Sequence, residues 1–571
     1  MKAAPWLVLA LLCPLWLACP AKKCDASTCA TGCCDSTGTC RTGDTAAACG
    51  TAGGSCQACV SGVCSALKVC MSTGTGGGTG GGTGGGGGTG GGTGGGGGTT
   101  SDGGVRTVTF VRHVTRTQEN GTTVIDDSLP TGTISLLVRD GGAYVEIPGV
   151  RSSSSYVVNA VPTGSYVMHY GTMWLESSAD QLDVGYNDLG RADAALIDAG
   201  AATLTLTTSG LPAWNDLDDV EFFSVGANLY GLGSVAFTTP PTAGQVPTSL
   251  SVDYGTVAFL DQAPAVDSTK GDSLYVSYLQ NQALITTPVA GAADDGGVLD
   301  VPLNCQVAKS SLKMSTITVT GGTNTASASF VNAPMMSLGI TWPRTQWDAL
   351  ATLVHPQAVT TGESLYYAAE PAPETASGDL LNCFNDARFD NPISDVNRSL
   401  MVGNPYPNSW AVSGSLFVGY RIAKTVADAG SWSSTGQGTV KVDVGQPLVP
   451  AVRPPRAGTV QSITFESVIT VATASPLQVN WMPPTAGPAP SRYRVSLLKL
   501  TKDSTGLITR TTVATGVTTG TSVLFPAGVV QLGAVYQLRV ESQITSAPEG
   551  KPFASRYTST FATISNPFLA Q

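Results

Sequence analysis

The chain has 571 residues, enough at roughly 150 residues per domain for about four domains and several buried cores. Only 12% of them are Asp, Glu, Lys or Arg, about half the roughly 25% usual in soluble proteins, which excludes long charge-laced helices and coiled coils. With 30 basic against 40 acidic residues, pI near 4.8 and no Lys/Arg cluster, the chain lacks the footprint of a nucleic-acid binder, and 42% hydrophobic content is too high for global disorder.

Met1-Lys2 precedes an apolar run that ends at Leu17 and Ala18, which reads as a signal peptide over residues 1–18. Pro5 and Pro14 interrupt the run, and it is too short to be a good transmembrane span of about 20 residues. The stretch Trp16-Leu17-Ala18-Cys19 resembles the lipobox of bacterial lipoproteins, departing from it at Trp16, where Leu is usual. The resemblance implies that Cys19 becomes acylated and N-terminal, that 19–23 is an anchor tether, and that the membrane is a partner through the lipid. Pro20 is not a usual inner-membrane retention residue, so the expected location is the outer membrane or cell surface, or extracellular if Cys19 carries no lipid. Cysteine parity agrees. Of 14 cysteines, Cys13 leaves with the signal and Cys19 takes the lipid, so the number left to pair is even.

Residues 24–70 carry Cys24, Cys29, Cys33, Cys34, Cys40, Cys49, Cys56, Cys59, Cys64 and Cys70 with almost no large apolar side chain. Such a segment cannot bury enough hydrocarbon to fold unaided, so disulfides must supply the stability, at roughly 2–4 kcal/mol each. The spacing does not reveal the connectivity. A metal reading of Cys56, Cys59, Cys64 and Cys70 competes, but the export signal implies an oxidising compartment and no His lies nearby. Gly32 before adjacent Cys33-Cys34 is similar to hevein-like and other knottin modules, although the remaining spacings differ and carry over no chitin binding. Residues 71–104 are a Gly/Thr-rich linker: 20 of the 25 residues from Gly74 to Gly98 are Gly. A flexible coil of that length spans about 25–30 Å root-mean-square.

From Val105 onward apolar and polar residues alternate, the mark of half-buried strands. Thr133 to Val138 and Ala143 to Ile147 flank Asp140-Gly141-Gly142, which predicts a hairpin. The run Ser155 to Val161, the turn Pro162-Thr163-Gly164, and Tyr166-Val167-Met168 resemble carboxypeptidase-regulatory-like and Cna-B-type prealbumin sandwiches, where the turn leads one strand into its neighbour. That assigns 105–200 to a prealbumin-like sandwich with a structural role.

Residues 201–450 read as a β-rich domain, either one unit or two, with strands at 203–207, 251–260, 273–279, 315–320, 326–331 and 364–369. Ile317 to Thr320 and Ser327 to Phe330, split by Gly321-Gly322-Thr323-Asn324, predict a second hairpin. Trp347 to His355 alone has helical spacing. Cys305 and Cys383 share a Leu-Asn-Cys context and are expected to be bridged. In the last stretch, Leu477 to Trp481, Pro483-Pro484, Tyr493 to Leu497 and Val535 to Ser542 resemble a fibronectin type III domain over 454–568. That family implies a core role for Trp481 and a corner role for Tyr536. The expected fold class is all-β: several β-sandwich modules after a disulfide-rich knob and a disordered Gly/Thr linker. The whole arrangement resembles the surface lipoproteins of myxobacteria.

Motifs for catalysis are missing. There is no His-Glu-x-x-His, Gly-x-Ser-x-Gly or phosphate-loop pattern, and His113, His169 and His355 are scattered. Two acidic stretches carry the oxygen ligands calcium prefers: Asn215 to Glu221, with Asp216, Asp218, Asp219 and Glu221 as candidates, and Asn385 to Asn391 with Asp395. Neither follows the EF-hand pattern, and solvated turns and Asx caps are the favoured reading of both. Trp174, Trp214, Trp342, Trp347, Trp410 and Trp432 could stack on sugars, although single Trp residues in sandwiches more often fill cores. The expected function is binding, adhesion or envelope structure on the cell surface, toward a glycan or protein, without catalysis and without a cofactor other than calcium. The competing reading is an exported enzyme or glycan-binding protein with its site in 201–450.

Overall fold

The structure is a computed structural model. It describes residues 104–571 apart from 128, 130–131, 141–142, 260, 286–287, 290–298, 301–302, 373–376, 386–393, 427–428 and 555–556, and between 29 and 72 it describes short pieces near the cysteines. Two compact units result, 1–98 and 99–571.

In the first unit, Cys33–Cys34 pairs antiparallel with Cys40–Arg41. Disulfides join Cys29 to Cys40 and Cys33 to Cys56. Cys34 is also bridged. Asp35 closes the hairpin: its Oδ1 accepts the N–H groups of Thr37 (3.0 Å) and Thr39 (2.9 Å), and its Oδ2 meets Arg41 Nε at 2.7 Å. Cys19, Cys24 and Cys59 lie outside the described residues, as do the side chains of Cys49, Cys64 and Cys70.

The second unit is four two-sheet sandwiches, so the all-β expectation holds. In the first sandwich, Val105–Val111 lies between Ser155–Pro162 and Gln181–Asp183. It faces a sheet ordered Ala143–Ile147, Ile134–Asp140, Tyr166–Tyr170, Met173–Ser177. The predicted hairpin forms, with Asp140 opposite Ala143. The turn after Pro162 carries the chain across to the opposite sheet instead of pairing neighbours, and Gly164 at φ +121° supplies a backbone conformation other residues rarely adopt.

The second sandwich faces Ser249–Asp253, Ala202–Ser209 and Gly322–Ser329 against Leu229–Leu232, Asp219–Ser224, Leu274–Ile285 and Leu303–Met314. Leu204, Leu206, Val220, Phe222, Val252 and Val276 fill its core. Here one expected hairpin fails. Thr318–Val319 pairs with Val266–Asp267, while Gly322–Ser329 runs parallel to Ala202–Ser209. Gly322, at φ +80°, turns the chain between two sheets rather than back on itself.

The third sandwich sets Gly378–Asn385, Val359–Glu370, Ala411–Val426 and Gly430–Asp443 against Met335–Trp342 and Val396–Gly403. The helical segment starts earlier than its spacing predicts, as two short helices, Arg344–Asp348 and Ala351–Val354. Asp395 Oδ1 accepts the Thr345 N–H at 2.9 Å, and Trp347 is buried with its Nε1 donating to Leu448 O at 2.8 Å.

The fourth sandwich orders Ile463–Thr464, Arg456–Val460, Leu477–Met482 and Ser522–Phe525 against Ile508–Thr518, Arg492–Lys502, Val535–Thr545 and Tyr557–Ile564. Trp481 is core, and the buried Tyr536 hydroxyl accepts the Gln531 N–H at 2.8 Å, five residues upstream. This strand order and corner tyrosine are those of a fibronectin type III-like sandwich.

One sheet from each sandwich joins the next. Met173–Leu175 runs parallel to Thr515–Val517, Gly438–Val440 pairs with Ser559–Phe561, and Cys305–Val307 pairs with Leu381–Cys383. A single 18-stranded sheet results. It passes from the first sandwich to the fourth, then the third, then the second. Cys305 and Cys383 are directly opposite and bridged. Among the described residues no helix is long and apolar enough to cross a membrane.

Candidate functional site

The join between the second and third sandwiches holds the most unusual chemistry of the chain. Asp219–Ser224 is an inner strand, and all six of its residues are buried. Val220 and Phe222 point into the second core, whereas Phe223 belongs to the third, packing on Tyr406 with ring centres 5.8 Å apart. Side chains two apart share a face, so Asp219 and Glu221 also turn toward the third sandwich.

Glu221 is fully buried. Its Oε1 accepts the Asp379 backbone N–H at 2.8 Å and its Oε2 accepts the Tyr406 hydroxyl at 2.7 Å. The Asp379 carboxylate, 4% exposed, receives the Tyr230 hydroxyl at 2.9 Å and the Asn382 amide at 3.1 Å, both on Oδ2. Neither acid has an ion-pair partner among the described residues. Burial therefore raises the pKa of Asp379 to about 6. Burial first, and then the nearby Asp379 carboxylate, holds Glu221 well above the usual carboxylate range. Tyr406 is raised by burial and by Glu221, and Asp219 by burial. The contrast within the same fold is Arg344 and Glu363, equally buried but paired at 2.6 Å. Gly378 is required beside the pair because a Cβ there would collide with the Tyr406 ring.

In front of this pair opens a cleft of about 720 Å³. Its walls include Asp216, Asp218, Asp219, Tyr230, Phe259, Gln306 and Tyr366, with the Cys305 bridge at one side. Tyr230 and Asn382 belong to both places: they line the cleft and bond to Asp379.

The calcium candidates are distributed differently from the acidic loop that the sequence suggests. Asp216 is exposed in the loop. Asp218 is engaged on both oxygens, by Asn215 N (2.8 Å), Tyr278 Oη (2.5 Å) and Asn281 N (2.8 Å). Asp219 and Glu221 lie in the strand, because apolar cover from two sandwiches makes a strand of what reads as a turn. Among the described residues, no group of three or more His, Cys, Asp or Glu is arranged to hold a metal ion. Asp386, Asp390 and Asn391 lie outside the described residues, and Asp395 caps the helix at Thr345.

The tryptophans do not make the cleft. Trp214, Trp342 and Trp347 are core, Trp174 stacks on His169 at 3.9 Å, Trp410 stacks on Tyr406 at 5.2 Å, and Trp432 lies under the Lys502 ammonium at 4.6 Å. His113 bonds Asp183 at 2.8 Å, and the buried His355, its pKa lowered by burial, accepts the Gln357 N–H at 3.1 Å. The sequence reading missed Asp379, Tyr230, Tyr406 and Phe259. The available signal was apolar residues at both strand parities in Val220-Glu221-Phe222-Phe223 and Asp379-Leu380-Leu381, which implies burial on two faces.

No protein-family model matches the sequence, and no curated protein matches it. Among solved structures, the FN1–FN3 domains of chicken CNTN1 are 10% identical, covering 66% of this chain and 99% of that one at a TM-score of 0.11. Three consecutive titin domains are 12% identical, covering 66% and 98% at a TM-score of 0.13. Likeness at this level adds nothing to what the strand order itself shows.

Proposed function

We propose that the chain is exported, anchored on the outer membrane or cell surface through lipid on Cys19, and displays its 99–571 body as a binding module without catalysis of its own. The observation that carries export is the set of disulfides Cys29–Cys40, Cys33–Cys56 and Cys305–Cys383, bonds that persist in oxidising compartments. The Gly/Thr-rich 71–104 linker acts as the tether. Binding is favoured over catalysis because the two perturbed carboxyls, Glu221 and Asp379, are closed behind the cleft wall and already accept hydrogen bonds from Tyr406, Tyr230, Asn382 and a backbone N–H. The test is metabolic labelling with a palmitate analogue. The wild type is expected to be labelled and to fractionate with membranes, and Cys19→Ser to be unlabelled and released. Equal labelling of the two would defeat the anchor.

A further inference from the structure

We infer that the cleft between the second and third sandwiches binds an uncharged polysaccharide. This rests on the reading of the body as a binding module and names what it binds. The volume of about 720 Å³ lies within the roughly 300–1,000 Å³ of small-molecule sites. Three aromatic residues line it, Tyr230, Tyr366 and Phe259. Phe259 is 52% exposed, an unusual place for a large apolar side chain, and its φ of +63° is one that bulky residues rarely adopt. Strain of this kind, about 1–3 kcal/mol, is characteristic of ligand-gripping positions. An aromatic face presented to solvent beside amide and hydroxyl groups, here Gln306, Asn382 and Ser234, matches a sugar ring, which has an apolar C–H face and a rim of hydroxyls.

Charge selects among the sugars. The lining carries three aspartates and, among its described residues, no Lys, Arg or His, so phosphorylated, sulfated and uronic acid chains are repelled. Toward a cationic chain the lining offers one exposed carboxylate, Asp216, because Asp218 and Asp219 are buried. Asp218 already accepts three hydrogen bonds. Asp219 is fully buried, with Oδ1 taken by the Val220 and Ser234 N–H groups at 2.8 Å each and the Ser234 and Gln306 side chains beside its carboxyl. Asp216 is left as the exposed carboxylate of the loop.

The test is affinity electrophoresis of the purified full-length protein, in detergent, through gels containing neutral glucans, mannans or galactans, an acidic alginate, or cationic chitosan. At least one neutral polymer is expected to retard the wild type, and alginate is not. Phe259→Ala and Gln306→Ala should each weaken retardation by about tenfold while the melting temperature stays within about a degree. Retardation by no neutral polymer, preferential retardation by chitosan, or retardation insensitive to both substitutions would each overturn the proposal. Cys19→Ser protein should bind as the wild type does. A wild-type protein that takes no label yet is retarded therefore defeats only the anchor, and a labelled wild type that no neutral polymer retards defeats only the site.

Discussion

Replacing Asp379 with Asn removes a charge that the fold accommodates poorly. In the folded protein the Asp379 pKa stands at about 6 against 3.8 in its ordinary setting, with burial as the main cause. A carboxyl whose pKa is raised by folding binds its proton more tightly when folded, so it lowers stability as pH rises. Below about pH 4 both folded and unfolded chains hold the proton and there is no penalty; between about 4 and 6 the penalty grows; above 6 it is complete. A rise of roughly two pKa units corresponds to about 3 kcal/mol at 1.36 kcal/mol per unit. Asn keeps an oxygen for the Tyr230 hydroxyl and the Asn382 amide, and the Asp379 backbone N–H still serves Glu221, so at pH 4.5 the variant should lie within about 1 kcal/mol of wild type. At pH 7.5 it should be the more stable by up to about 3 kcal/mol. Urea melts at pH 4.5, 6 and 7.5 measure the difference, and thermal melts should show several degrees at roughly 2–4 °C per kcal/mol for domains of about 150–250 residues. Parallel pH dependences for the two proteins, or an Asn variant less stable at pH 7.5, would refute the assignment of an uncompensated buried charge. Glu221→Gln should change stability with the same sign, because burial and Asp379 raise Glu221 too.

The Arg344–Glu363 pair makes the opposite prediction: Arg344→Met leaves a buried carboxylate without its cation and should cost about 3–5 kcal/mol in urea melts, while Arg344→Met with Glu363→Leu recovers most of it. The Cys305–Cys383 bridge closes a 78-residue separation, worth up to about 4.5 kcal/mol in the loop-entropy account, so the double Ala variant should melt like the reduced wild type and be insensitive to reductant. Tyr536→Phe keeps the ring in the core but strands the Gln531 N–H, and a loss of about 1–3 kcal/mol is expected in denaturant melts.

Local features were legible in the sequence and distant ones were not, for a physical reason. The hairpin at Asp140 and Ala143 is specified by residues a few positions apart, and so is the corner made by Tyr536 and Gln531. Cys305 and Cys383 were legible through their matching contexts and through parity, which needs no geometry. Gly321 to Asn324 has turn chemistry and does turn the chain, but the strand that follows finds its partner at Ala202–Ser209, over 100 residues earlier, and no local pattern carries that information. The candidate site failed to show for the same reason. Asp219 and Glu221 look like loop acids because alternation is judged against one core, whereas their strand is covered on both faces.

That double cover also explains why the acids and the cleft occur together. The sheet of the second sandwich continues into the third through Cys305–Val307 and Leu381–Cys383, so its outer face, which a lone sandwich would leave to solvent, is roofed by Tyr406, Trp410 and Leu380. Where the roof is complete, Glu221 and Asp379 are sealed in and lose their charge stabilisation. Two residues back along the same face, about 7 Å away at strand rise, Asp219 stands at the edge where the roof stops and the cleft begins. Tyr230 crosses that boundary, its ring in the cleft wall and its hydroxyl on Asp379. The polar residues behind the wall thus fix the rotamer of an aromatic residue in front of it. A buried carboxyl that weakens the fold at neutral pH therefore holds the wall of the cleft in place.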